Sequence, residues 1–236
     1  MPARQALWQM AARNFQPRQL VAIATSYWPP FPPGERFAYS NTNYILLGLV
    51  VERITGDQLA AQLRQRILAP LKLADTELPG TQRRVRGRHL HGYAPPDQSW
   101  VPGDGPAGLV DVTQTNPSWS WAAGAMVSST ADLAASTRPC WVAGSSTPIC
   151  SRRCVPPWTP ASSSAPLPAT AWACCGCPRL RRPGLGHGGE LLGYATVALS
   201  SRDAARQLIL VSNLVPAPGG AVQAAVEHAL TQGLSC

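Results

Sequence analysis

At 236 residues the chain is long enough for one well-cored domain or a large piece of a bigger one. Apolar residues make up 45% and charged residues 14%, and the net charge of +8 rests almost wholly on arginine, since Lys72 is the only lysine. That bias matches the codon usage of a GC-rich genome and gives no ground for a nucleic-acid partner, which needs basic residues gathered on one face. The densest group, Arg83, Arg84, Arg86 and Arg88, reads as a solvated loop. No apolar run reaches the roughly eighteen residues that a membrane span requires. Met1 to Met10 carries no signal-peptide pattern, which points to a cytosolic protein or to a natural beginning upstream.

Ala3 to Ala12 reads as a short helix or an irregular lead-in. Pro17 opens a helix with Leu20, Val21, Ile23 and Ala24 on its buried side. The Pro-rich connector Trp28 to Gly34 turns the chain into Tyr39-Ser40-Asn41-Thr42-Asn43-Tyr44. The helix that follows, Ile45 to Val51 and on to Gly56, is apolar on nearly every side and is expected deep in the core. Asp57 is expected to cap the next helix, with Leu59, Leu63 and Ile67 inward, Gln58, Gln62, Arg64, Gln65 and Arg66 polar, and Pro70 as the stop.

Leu71 to Gly108 is rich in loops, with a short extended piece around His91-Gly92-Tyr93. Small residues from Ala122 to Ala125 permit close packing, and Ser129-Thr130-Ala131-Asp132 is a capping-box pattern. Beyond Leu133 the periodicity fades. From there to Gly189 there is no Asp or Glu, and six of the seven cysteines fall there. Residues 134–185 therefore read as a low-complexity Pro/Cys/Arg-rich insert or as a frame-shifted stretch. The cysteine spacing is irregular and argues against a metal site. Tyr194 to Ser200 and Gln207 to Asn213 form a hairpin around a Ser201-Arg202-Asp203 turn, and Ala221 to Leu230 closes the chain as a helix.

Two stretches carry chemistry. Tyr39, Ser40 and Asn41 place a phenol, a hydroxyl and an amide at the start of a rigid helix, a set suited to proton handling and amide recognition. The plainer alternative is that Ser40, Asn41 or Thr42 caps backbone N–H groups. In Gly186-His187-Gly188-Gly189 the glycines allow a second backbone to come close, and an edge strand offers N–H and C=O groups to an extended ligand. There the plainer alternative is a Gly-rich loop with an exposed histidine.

Together, Tyr39-Ser40-Asn41 with its apolar helix and His187-Gly188-Gly189 downstream resemble the Tyr-x-Asn and Lys-Thr-Gly or His-x-Gly elements of the serine β-lactamase-like hydrolases. That superfamily includes class C β-lactamases, D-alanyl-D-alanine carboxypeptidases (penicillin-binding proteins) and related esterases. Pro32 to Phe37, Leu68 to Leu71 with Asp75-Thr76, and Ala123 to Asp132 resemble it as well. The resemblance implies an α+β fold of the α/β transpeptidase-like kind: an antiparallel sheet flanked by helices, beside a mostly helical lobe. It assigns residues 1–133 to that lobe and 186–236 to the C-terminal hairpin and helix of the same domain. Tyr39 is then implied to shuttle a proton, Asn41 to bond the substrate amide with Ser40 beside it, and His187, Gly188 and Gly189 to hold the substrate carboxylate and backbone. The implied reaction is acyl transfer to a serine followed by hydrolysis of a small peptide, β-lactam or ester. No cofactor and no nucleic acid are implied, and members are usually exported.

The departure from the family is the nucleophile. The family carries Ser-x-x-Lys upstream of the tyrosine element. Here the residue three before Lys72 is Ala69, and the only serine before Tyr39 is Ser26, followed three positions later by Pro29. The expectation is an N-terminally truncated, inactive piece of such a hydrolase. A non-catalytic binding relative and an esterase-type member are the alternatives.

Overall fold

The computed structural model describes residues 12–36, 38–95, 108–141, 184–201 and 205–214. The helices expected at Ala3 to Ala12 and at Ala221 to Leu230 lie almost wholly outside them, as do Phe37, the Arg202-Asp203 turn and all but the first cysteine of the Cys-rich stretch. The chain divides into two compact units, Met1–Ser128 and Ser129–Cys236.

In the first unit, α1 (Pro17–Thr25) begins at a proline that needs no N–H partner, and the Gln16 backbone N–H bonds the Gln19 side chain at 2.8 Å. Leu20 is buried as expected, but Ile23 is exposed, because the helix packs along a narrow stripe. A tight turn follows: the Glu35 N–H reaches the Pro32 carbonyl at 3.2 Å, with Pro33 and Gly34 (φ 84°) at its centre. Proline presets the first of these positions and only glycine adopts the second without strain. Arg36 lies over the Phe31 ring at 4.6 Å and bonds the Pro30 carbonyl, so the connector packs on itself.

Helix α2 (Asn41–Thr55) ends on Gly56 in the left-handed conformation, φ 75°. Its deep burial does not hold. Ile45 and Gly48 are buried, whereas Leu47 (60%), Val50 (50%) and Ile54 (79%) stand in water. One face packs against α1 and the turns around Trp121; among the described residues of this unit nothing covers the other. The all-round apolar pattern says the helix tolerates burial, and tertiary neighbours decide which face receives it.

The next helix starts one residue later than expected. Gln58 is the N-cap of α3 (Leu59–Leu63), and the Asp57 carboxylate instead accepts from Gln62 Nε2 at 2.7 Å. The Leu59 N–H is satisfied from outside by Glu52 Oε1 at 2.9 Å. Helix α3 widens at once into a π-helical turn, Arg64–Leu68, which shifts the inward positions. Leu59, Gln62 and Leu68 are buried, rather than Leu59, Leu63 and Ile67. Gln62 pairs with Asp57 and with Arg66 (2.6 Å), which makes its burial tolerable.

A two-stranded ribbon, β1 (Tyr93–Ala94) with β2 (Val110–Asp111), is followed by two 3₁₀ turns, Pro117–Trp119 and Trp121–Ala123. The second turn presses on α2 at Gly48. A small core joins Phe15, Leu20 and Ile45 with Val21, Trp119, Trp121 and Ala123.

In the second unit, Ser129 accepts the Asp132 N–H at 3.2 Å, and α4 (Thr130–Trp141) runs on past Leu133, where periodicity fades. Three antiparallel strands lie in order β3 (Gly184–Leu191), β4 (Tyr194–Ser201), β5 (Gln207–Ser212). Gly193, φ 80°, closes the β3–β4 turn. Gln207 on β5 donates to the Ala134 carbonyl and to Thr137 Oγ1, fixing α4 against the sheet.

Candidate functional site

Tyr39, Ser40 and Asn41 stand at the tip of α2. Ser40 is the N-cap, with extended backbone (φ −143°, ψ 121°), yet its hydroxyl makes no capping bond. The Asn43 N–H is met by the Ser40 carbonyl at 3.2 Å instead. The plain capping alternative therefore fails at Ser40, the residue in the capping position. Asn41 is exposed on the first turn, and Tyr39 and Ser40 are half-buried.

The Tyr39 ring lies 5.7 Å from that of Tyr44, inclined by 38°. Burial pushes the Tyr39 phenol above its ordinary value of 10.0, and the Tyr44 hydroxyl pushes it further through charge coupling and hydrogen bonding. At neutral pH Tyr39 is thus a neutral phenol. Serving as a base requires the opposite shift, which a nearby cation supplies.

Asn41, Ile45 and Gly48 recur at helical spacing and share one face of α2. Ile45 is in the core, and Gly48 meets the second 3₁₀ turn. A Cβ built at Gly48 stands 2.8 Å from the Trp121 ring and 2.8 Å from Ala122 Cβ. Trp121 itself holds φ 36°, a conformation a bulky residue adopts only when its surroundings impose it. Hydrogen bonds from Ala123 N to Ser120 O (2.7 Å) and from Ala125 N to Trp121 O (3.0 Å) hold that turn. Neither the Gly48 contact nor the Trp121 strain is signalled by motif; the run of small residues after Trp121 is the one hint.

A buried polar cluster supports the same region. Asn116 accepts the Ser118 N–H at 2.9 Å and donates to Asn14, and Ser118 Oγ accepts the Phe15 N–H at 3.0 Å. These bonds anchor the lead-in to α1 more than a hundred positions away in sequence.

In the second unit His187, Gly188 and Gly189 lie inside β3, so the stretch is a strand and not a loop. Cross-strand partners share a face, which puts His187, Ala198 and Ile209 in one row. The row of Ser200 and Gln207, which reaches α4, is on that same face. His187 is exposed. Gly186, on the opposite face, is buried, and a Cβ there stands 2.5 Å from the Ala198 carbonyl oxygen and collides with Leu199. Gly189 has open space at the corresponding position. Among the described strands β3 is an edge, with one side paired to β4.

The sequence model of the family described as Beta-lactamase matches residues 1–232. The chain belongs to the Beta-lactamase family. Its fold is also that of a D-stereospecific amidohydrolase from a Streptomyces species, with TM-score 0.74 and 25% identity, over 96% of this chain and 64% of that one. A D-amino acid amidase from Ochrobactrum anthropi SV3, complexed with D-phenylalanine, shares the fold at TM-score 0.67 and 22% identity over 87% of this chain and 59% of the other. So does an octameric penicillin-binding protein homologue from Pyrococcus abyssi, at TM-score 0.55 and 18% identity over 93% and 49% of the two chains. Protein flp of Staphylococcus aureus is 34% identical over 67 residues, 27% of this chain and 14% of its own length. The chain thus spans a little under two thirds of the Streptomyces enzyme and a much smaller share of the Staphylococcus protein.

The α+β class expected from the resemblance is the one observed: helices with antiparallel sheets, in a family of serine-hydrolase type. The structure gathers Tyr39, Ser40 and Asn41 at one helix tip in the first unit, with Tyr44 added, and His187, Gly188 and Gly189 on one strand in the second.

Proposed function

We propose that the chain carries the ligand-holding and proton-handling residues of an acyl-transfer hydrolase whose substrates are D-amino-acid amides or peptides. In this reading Asn41 bonds the substrate amide with Ser40 beside it. In the first unit Tyr39 is the group suited to the reacting end; in the second, His187 is the group suited to a carboxylate and the β3 edge at Gly188 and Gly189 to an extended backbone. β-Lactams and small esters are the neighbouring substrate classes.

The observation that carries the reading is the uncapped tip. A hydroxyl in the N-cap position and an exposed amide are left out of helix capping, beside a half-buried phenol. The D-stereospecific amidohydrolase favours amides over β-lactams as the substrate class.

These 236 residues contain no Ser-x-x-Lys, and Lys72 follows Ala69. Loss of a nucleophile typically costs about six orders of magnitude in rate. The proposal is therefore binding without turnover. The test combines fluorescent penicillin, a chromogenic cephalosporin and D-phenylalanine amide on the purified chain. The expected result is no covalent label, no hydrolysis, NMR-detected binding of D-phenylalanine amide that Asn41→Ala abolishes, and binding of D-phenylalanine, which carries a carboxylate, that His187→Ala weakens. A covalent adduct or turnover overturns the inactivity, and absence of binding overturns the site.

A further inference from the structure

We propose that the outer face of α2 pairs with the same face of a second copy of this chain, giving a weak two-fold dimer built on Leu47, Val50 and Ile54. The inference goes beyond the ligand reading of Tyr39 and Asn41, which concerns the helix tip and the opposite face.

The spacing of the uncovered side chains carries it. Asn43, Leu47, Val50 and Ile54 are all exposed. They follow one another at intervals of four, three and four residues, so they form a single stripe along α2. The buried positions, Ile45 and Gly48, lie on the other side of the helix. A stripe with this spacing is the seam by which one helix seats its side chains between those of another.

The chemistry of the stripe selects the occupant. Its flank carries Leu46 and one charge, Arg53. Nothing on it calls for an anionic partner. A lipid surface takes a face anchored by aromatic rings and bordered by several Lys or Arg, and this stripe is aliphatic. An aliphatic seam at helical spacing is matched by another of its kind, and a second α2 is the one such seam that the described residues supply. A face that fits itself closes on two-fold symmetry and stops at a dimer. Val50, between Leu47 and Ile54, is nearest the axis whether the two helices run parallel or antiparallel. Antiparallel pairing also sets the positive end of each helix beside the negative end of the other.

Size sets the strength. The 15 residues of α2 make a helix about 22 Å long, and its contact strip, about 10 Å wide, falls well short of the roughly 800 Å² that each partner buries in a lasting complex. The dimer is therefore of the weak class, with Kd in the micromolar range or above.

The experiment is sedimentation equilibrium of the full chain under reducing conditions, which remove any disulfide contribution from its seven cysteines. The expected result is a reversible monomer–dimer equilibrium. Val50→Glu and Val50→Lys each set like charges at the axis and are expected to weaken the dimer by at least about tenfold. An equimolar mixture of the two is expected to restore it, because a carboxylate then meets an ammonium group. Met126→Glu, exposed but outside α2, is expected to leave association unchanged. Should the Val50 variants lose their circular dichroism, Ile54→Gln is the milder change at a more exposed position, and it too is expected to weaken the dimer. Binding of D-phenylalanine amide should be the same in Val50→Glu as in the unsubstituted chain, so that failure of the dimer and failure of the ligand site are read separately. A chain that stays monomeric up to about 1 mM, or one that associates without limit, overturns the proposal. So does association that the Val50 or Ile54 variants leave unchanged or that Met126→Glu weakens equally, and so does a mixture that stays monomeric. Co-sedimentation with anionic vesicles in place of self-association overturns it in favour of a lipid surface.

Discussion

Gly48→Ala sets two known effects against each other. Alanine in a helix interior gains about 1 kcal/mol over glycine. Against this, the new Cβ stands 2.8 Å from two atoms of the Trp121 ring and 2.8 Å from Ala122 Cβ, inside ordinary contact on two sides at once. Whether the helix gain survives depends on whether those neighbours can retreat. Trp121 cannot swing easily, because its backbone is already at φ 36° and its turn is held by bonds of 2.7 and 3.0 Å. Overpacking of this kind costs about 1–3 kcal/mol. The balance predicts that Gly48→Ala destabilises the first unit by about 1 kcal/mol, and Gly48→Val by about 3 kcal/mol because it adds two further methyls. Urea denaturation followed by far-ultraviolet circular dichroism, with the slope checked for constancy, measures both. A stability increase in Gly48→Ala equal to the helix gain refutes the reasoning, since it means the Trp121 turn yields freely.

Glycines on β3 give a matched pair. Gly186→Ala forces a Cβ into Leu199 and the Ala198 carbonyl and is expected to cost about 1–3 kcal/mol, while Gly189→Ala, with open space, stays within about 0.5 kcal/mol; thermal melts of the two variants decide it. Asn116→Ala leaves the buried Ser118 N–H without an acceptor and should lower stability by about 1–3 kcal/mol, and Asn116→Asp, which keeps that acceptor but loses the donor to Asn14 and buries a carboxylate, should cost at least as much in the same denaturation assay at neutral pH. Burial alone raises the Asp111 carboxyl, but hydrogen bonds from His91 (2.6 Å) and Thr113, with the His91 charge, outweigh it and bring Asp111 below its ordinary 3.8. A depressed folded-state value means the stabilisation is complete above the unfolded value and lost as pH falls through the folded one. Melting temperature should therefore drop as pH falls below about 3.8 by a share that Asp111→Asn removes; identical acid limbs in both proteins contradict this.

Local chemistry was readable where it is written within a few residues. The turn at Pro33-Gly34, the helix stop at Gly56, the cap at Ser129 and the hairpin of β4 and β5 each follow from backbone preferences that neighbours in sequence settle. Membership of the family and the α+β class were likewise legible, because Tyr39-Ser40-Asn41 and His187-Gly188-Gly189 stand in the right order with matching context. Tertiary contact decided the rest. Glu52 reached across to satisfy the Leu59 N–H and released Asp57 to pair with Gln62, a choice between acceptors that adjacent letters do not encode. The π-helical turn at Arg64–Leu68 moved the inward position there from Ile67 to Leu68. Periodicity gave α2 an apolar surface all round, yet only the face of Ile45 and Gly48 found partners, since burial is a property of what arrives opposite a side chain and not of the side chain itself. Tyr44 went unread for the same reason: five positions from Tyr39, it becomes its partner only once the chain bends from extended Ser40 into the first turn of α2.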